Sequence, residues 1–146
     1  QIAKPFEEWN VVQVTNLLTE SATLIVDFDK DLHLEEGEYL VYDYWKHAFL
    51  GRLENRITLT LPAYGSAVLA VRKCTGKKQV VSTSRHISQG GFDLMDVWLD
   101  EDGMLHGRSK VVAGEDYVVT IYDPEKQESY ETIIHPIRTG EMDWQE

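Results

Sequence analysis

The sequence predicts an all-β protein, an antiparallel two-sheet β-sandwich with Greek-key-like connections and about ten or eleven strands. Three observations predict it. "RITLTL" (56–61) alternates without a break, with Ile57, Leu59 and Leu61 on one face and Arg56, Thr58 and Thr60 on the other, the period of a half-buried strand. Other runs are rich in β-branched and aromatic residues, which suit a pleated surface. Turn chemistry separates them at short intervals: Glu36-Gly37, Leu50-Gly51, Tyr64-Gly65, Thr75-Gly76, Gly90-Gly91, Asp102-Gly103, Ala113-Gly114 and Asp123-Pro124. Short strands with regular turns mean a sandwich or barrel rather than βαβ units, and no helix longer than a turn or two is expected.

Taken in order, "VVQVTNLLTE" (11–20) could be argued as helical, but Val11, Val12, Val14 and Thr15 favour a strand ending at Asn16. "ATLIVDF" (22–28) puts Ala22, Leu24, Val26 and Phe28 on one side. "EYLVYDYW" (38–45) is apolar on both faces, as a central strand would be. "RKCTGKK" (72–78) is a basic polar link and the best internal seam, although residues 1–146 are read as a single domain. Asp102-Gly103, between "LMDVWL" and "MLHGRS", predicts a hairpin with a type I′ turn, which needs positive φ at both central positions. "YVVTIY" (117–122) and "SYETII" (129–134) are strands by composition. The tail "TGEMDWQE" (139–146) is polar and acidic, so it is expected to be frayed or bound for a missing neighbour.

At 146 residues, 42% of them hydrophobic, the chain can bury one good core, or two small sheets sharing one. No run approaches the ~20 apolar residues that cross a bilayer. The formal net charge is −11, with 14 scattered Lys and Arg against 25 Asp and Glu. A nucleic-acid surface needs a positive stripe, so no nucleic-acid partner is expected, and anionic membranes are disfavoured by the same sign. Cys74 stands alone and cannot make an internal disulfide. The chain begins at Gln1, so a processed protein or a piece of a longer chain is expected, and its compartment is left open.

Four patterns raise the question of chemistry. "DFDKDLHLEEGE" (27–38) imitates a calcium loop, with Asp27, Asp29, Asp31 and Glu38 at the first, third, fifth and twelfth positions. Leu32 stands where the sharp turn needs glycine, and strands rather than helices flank it, so a solvated acidic loop is expected. "STSRHISQGG" (82–91) offers Ser82, Ser84 and His86 on one face of an extended strand. It has no G-x-S-x-G elbow and no identifiable oxyanion loop, so a polar corner satisfying backbone groups is expected instead of a nucleophile and base. His33, His47, His86, His106 and His135 never form H-x-H or H-x₃-H pairs, so neither a metal nor any other cofactor is expected. Finally, the four tryptophans and seven tyrosines raise carbohydrate stacking, with Trp9, Trp98 and Trp144 as candidates, against the commoner fate of core or inter-domain contacts.

Three segments together resemble a known family: "WNVVQVTN" (9–16), "YLVYDYWKHAFLG" (39–51) and "ITLTLPAYGSAVLAVRK" (57–73) look like the C-terminal β-sandwich of α-galactosidase (melibiase)-like glycoside hydrolases. Asp43, Tyr44 and Trp45 match its D-x-W element, and Leu61 to Val71 the closing strand. "VVSTSRHISQGG", "DLMDVWL" and "LHGRSKVV" resemble extra strands of larger members. The resemblance implies that catalysis belongs to an N-terminal (β/α)₈ barrel of ~250 residues, which is not in this chain. It implies a non-catalytic accessory domain whose partner is that barrel, with a carbohydrate-binding module as the alternative. Asp43, Tyr44, Trp45, Arg85 and His86 become structural or inter-domain candidates. Arg85 is expected to be largely buried, its guanidinium on strand-end carbonyls or on a carboxylate, Asp43 or Asp93.

Overall fold

The computed structural model describes residues 1–146 and contains thirteen strands and no helix. The strands are β1 (Ile2–Ala3), β2 (Glu8–Thr15), β3 (Ala22–Asp27), β4 (Glu38–Asp43), β5 (Ala48–Glu54), β6 (Arg56–Leu61) and β7 (Ser66–Lys73), then β8 (Gln79–Thr83), β9 (Leu94–Leu99), β10 (Leu105–Val111), β11 (Tyr117–Asp123), β12 (Glu128–Ile134) and β13 (Gly140–Gln145). They form four antiparallel sheets, ordered β1-β2-β7-β4-β5, β3-β6, β12-β11-β8 and β13-β10-β9. The chain gathers into two compact units: Asn10–Cys74, and Gln1–Trp9 together with Thr75–Glu146.

The Asn10–Cys74 unit is a two-sheet sandwich in its own right. β3 and β6 pair in full register from Ala22↔Leu61 to Asp27↔Arg56. Their inward residues Val26, Ile57, Leu59 and Leu61 meet Tyr39 and Val41 of β4 and Ala67, Leu69 and Val71 of β7 in one apolar core. The alternation of β6 is followed residue by residue, odd positions buried and even ones exposed. β4 lies between β5 and β7, which pair both of its edges, and its side chains are buried on both faces. The path is Greek-key-like: β4 and β5 form a hairpin, β6 leaves to pair with β3, and β7 returns between β2 and β4. Each fully buried aliphatic side chain here contributes about 1.5–3 kcal/mol.

The second unit sets β12-β11-β8 against β13-β10-β9 around Val80, Leu94, Leu105, Val111, Val119, Ile121 and Trp144. β13 corrects the expectation of a frayed tail. It pairs with β10 over six registers, from His106↔Gln145 to Val111↔Gly140. Trp144 is buried against Gly107, where an added Cβ would run into the indole ring, and its Nε1–H donates to Ser109 Oγ at 2.9 Å. Acidic composition hid a period of two: Glu141, Asp143 and Gln145 face out while Met142 and Trp144 face in.

The turn between β9 and β10 also departs from the type I′ expectation. Gly103 has φ +80° but Asp102 does not leave negative φ. Asp100 Oδ1 accepts from the amides of Asp102 and Met104 at 3.0 and 2.9 Å, and this side-chain turn needs only one left-handed residue.

Candidate functional site

The stretch 82–91 follows β8 and is a polar knot. Ser82 Oγ donates to Gln89 Oε1 at 3.0 Å, and both residues are buried. Thr83 Oγ1 donates to Asp93 Oδ2 at 2.7 Å. Ser84 Oγ accepts from the Val118 amide at 2.9 Å, and the Ser84 amide donates to the Val118 carbonyl at 3.0 Å. Gln89 is held in the left-handed region at φ +53° while its amide donates to the His86 carbonyl at 2.8 Å. A long side chain keeps that conformation only where its surroundings over-determine it.

Behind the knot lies a network that the sequence did not announce. The buried Asp93 Oδ2 accepts from Thr83 and also from the Tyr117 hydroxyl at 2.7 Å. Ser109 Oγ lies 2.9 Å from the same hydroxyl and from Trp144 Nε1. Burial pushes the Tyr117 hydroxyl far above its ordinary pKa, and the Asp93 carboxylate acts the same way, so it remains a donor. Asp93 Oδ1 is buried with no hydrogen-bond partner. The signal that could have revealed the network is Ser109, a polar residue on the inward phase Leu105, Gly107, Ser109, Val111.

Arg85 is half-buried, not fully buried, and reaches neither Asp43 nor Asp93. Its Nη1 donates to the Lys110 carbonyl near the end of β10 at 2.5 Å, and its guanidinium lies 5.9 Å from the Phe92 ring centroid. Asp93 is fully buried with its Oδ2 engaged by hydroxyls from β8 and β11, while Arg85 stays half-buried and turns to a backbone carbonyl. A partly solvated bond of this kind contributes about 1 kcal/mol, well below a buried pair. His86 is exposed and its Nδ1 accepts from the Ser88 amide at 3.1 Å, with Ser88 Oγ at 2.8 Å. Ser88 Oγ in turn accepts from the Phe92 amide at 3.1 Å. These bonds close a local turn in which both hydroxyl and imidazole serve the backbone.

Asp43 ends β4, and its Oδ1 caps the amides of Trp45 and Lys46 at 3.1 and 3.2 Å. Its Oδ2 is buried without a hydrogen-bond partner. Tyr44 is half-buried and meets Trp45 edge-on, with centroids 5.1 Å apart. Trp45 is exposed at the hairpin. In the acidic loop, Asp27 Oδ1 accepts from the Asp29 and Lys30 amides and Asp31 Oδ2 from the Asp27 amide. Carboxylates spent on backbone do not converge, and no group of three or more His, Cys, Asp or Glu side chains could hold a metal. Leu32 and Leu34 pack against the apolar core instead.

The tryptophans divide. Trp9 and Trp144 are buried, their indole N–H groups donating to the Ser88 carbonyl and Ser109 Oγ, so neither offers a ring face to a sugar. Trp98 is 41% exposed on the solvent face of β9. Its ring lies 7° from parallel to His106, its partner across β10, with centroids 5.5 Å apart. His106 Nε2 bonds Asp100 Oδ2 at 2.7 Å, and that bond holds the Asp100 carboxyl below its ordinary pKa. β9 is the free edge of its sheet. Along that edge runs a cleft of about 410 Å³ lined by Val97, Trp98 and Leu99.

Fold and site together define an all-β protein built of two small antiparallel sandwiches, one carrying an exposed aromatic edge. No protein-family description matches the chain. No curated protein matches it either. Among solved structures it is weakly similar to the isomalto-dextranase of Arthrobacter globiformis T6 complexed with panose, at 17% identity and a TM-score of 0.39. The similarity covers 93% of this chain and 29% of that one, so the chain spans less than a third of its neighbour's length.

Proposed function

We propose that this chain is a non-catalytic accessory β-domain of a glycoside hydrolase, packing against and stabilising a catalytic domain of the same parent. Support for the glycoside-hydrolase context is the resemblance carried by Asp43, Tyr44, Trp45 and the strands around them. The single observation that carries the packing role is an apolar patch at one end of the Asn10–Cys74 unit. Leu17, Leu18 and Tyr64 are 80%, 55% and 67% exposed, and Pro62 and Ala63 are exposed beside them.

The patch is braced rather than loose. Buried Asn16 donates from Nδ2 to the carbonyls of Glu20 and Pro62 at 2.8 and 2.9 Å, and its Oδ1 accepts from the Leu18 amide at 3.0 Å. The Tyr64 amide donates to the Leu18 carbonyl at 3.3 Å, and Tyr64 is held at φ +56°. Strain that presents a large ring to water is a recurrent mark of a recognition surface.

The test compares the parent hydrolase with the isolated chain after Leu17→Ser, Leu18→Ser and Tyr64→Ser are combined. The parent is expected to lose several degrees of Tm and the isolated chain almost none. Equal loss in both would sink the packing role. Turnover of aryl glycosides by the purified chain, abolished by changing an acidic pair within it, would sink the accessory role.

A further inference from the structure

We infer that the outward face of Trp98 is a stacking platform for one pyranose ring of a neutral saccharide, with the β9-edge cleft receiving the adjoining hydroxyl groups. The inference rests on different residues, in the other unit, from those that carry the packing role.

The ring has two faces, and the structure treats them differently. One lies against His106, which comes from β10. No strand pairs with β9 on its other side, so the second face looks out over the free edge. There it borders the cleft, whose lining combines Val97, Leu99 and Leu105 with the polar groups of Glu7, Thr75 and Lys77. A flat aromatic face beside a few hydrogen-bonding groups matches a pyranose, which has an apolar C–H face and a polar rim.

The ring is also fixed before any ligand arrives. His106 is anchored by Asp100, which is itself held by the Asp102 and Met104 amides. Fixing a stacking surface in advance lowers the entropy lost on binding.

Two further observations select the ligand. Three ion pairs stand near the site, Lys78 with Glu146 at 2.5 Å, Arg108 with Asp143 at 2.6 Å and His106 with Asp100 at 2.7 Å, and the cleft lining itself carries both signs, Glu7 and Lys77. An anion would face Glu7 and a cation Lys77, whereas a neutral ligand meets like charge from neither. A peptide adding itself as a strand is opposed at this edge, because Asp96 Oδ1 already takes the Val97 amide at 2.9 Å. A carboxylate on an edge amide is a device that blocks strand addition.

The experiment titrates the full chain with a panel of glucose- and galactose-containing disaccharides, α- and β-linked, following the four indole N–H resonances. The expected result is a shift at Trp98, with Trp9 and Trp144, whose N–H groups are buried and bonded, unmoved. Trp98→Ala should weaken binding at least about tenfold, and Trp98→Tyr only a few-fold. His106→Ala should weaken it about threefold through loss of positioning, and His106→Phe should restore it. Trp45→Ala should leave it unchanged. No shift at Trp98 with any member of the panel overturns the inference. So does binding by Trp98→Ala equal to the parent chain, or shifts centred away from β9. Urea melts of each variant separate loss of binding from loss of fold.

Discussion

The Asn10–Cys74 unit and the unit formed by Gln1–Trp9 and Thr75–Glu146 share a local device and differ in what they bury. Each closes a hairpin with an aspartate at the end of a buried strand: Asp43 Oδ1 takes the amides of Trp45 and Lys46, and Asp123 Oδ1 those of Glu125 and Lys126. Each hairpin then turns through a left-handed residue four positions on, His47 at φ +48° and Gln127 at φ +55°. The cores are unlike. The core between the first unit's two sheets is apolar, from Val26 to Val71, apart from the Tyr39 hydroxyl, which reaches out to the Glu35 carbonyl, and the unit's buried polar residues Asn16, Asp43 and Arg72 lie outside that cluster. In the second, Thr83, Asp93, Ser109, Tyr117 and Trp144 run a chain of hydrogen bonds through the interior. An apolar core is stabilised by burial that tolerates small shifts, while a polar one demands that every partner be in place. The difference teaches that one strand-and-turn grammar can carry two kinds of interior.

That contrast is open to measurement. The largest expected effect is Trp144→Ala, which removes an indole from the second core and a donor from Ser109. It should cost about 3–5 kcal/mol in a urea melt. Hydrogen exchange should accelerate in β10 and β13 while β3 and β6 stay protected. Loss of protection in β3 and β6 to the same extent would erase the distinction between the two interiors.

Asp93→Ala should come next, at about 2–3 kcal/mol, because it removes the acceptor shared by the buried hydroxyls of Thr83 and Tyr117. A near-neutral result would mean that Ser109 and Thr83 can satisfy Tyr117 alone. The polar core would then be as tolerant as the apolar one.

Asp43→Ala and Asp123→Ala sharpen the shared part of the comparison. Each removes a carboxylate oxygen that caps two amides and should cost about 1 kcal/mol. A difference of more than about 1 kcal/mol between the two would show that the hairpins are alike in geometry only.

The smallest effect is acid sensitivity. Hydrogen bonds from Arg108 to Asp143 and from His106 to Asp100 hold those carboxyls below their ordinary pKa, and bonds from the Lys30 amide to Asp27 and from Lys73 to Glu35 do so in the first unit. A carboxyl with a lowered folded-state pKa binds fewer protons when folded. Its contribution is therefore present above the ordinary carboxyl range near pH 4 and disappears as pH falls through the folded values. Tm should drop modestly below about pH 4, less so at high salt, since these groups are solvent-exposed. Because both units carry such groups, exchange protection should decline in both. Decline in one alone would contradict the assignment.

What the sequence by itself determined is the class of fold and the place of most strands, because a period of two is a local property. "RITLTL" is β6 residue for residue, and "YVVTIY" differs from β11 only by Asp123. In residues 82–91 the hydroxyl content was legible but the partners were not: Ser82 and Thr83 bond the Gln89 and Asp93 side chains, and Ser84 takes the Val118 amide. Only the tertiary structure decided how the strands are shared between two cores, because that depends on non-local pairing such as β3 with β6 across the 28 residues between them. It also decided that Asp93 serves Thr83 and Tyr117 rather than Arg85. It turned an acidic tail into β13 by giving Trp144 the space above Gly107, and it left Trp98 alone of the three sugar candidates with a face to the solvent. The reason is the same in each case: burial and partnership are properties of what lies across a sheet, and the neighbours in sequence do not contain them.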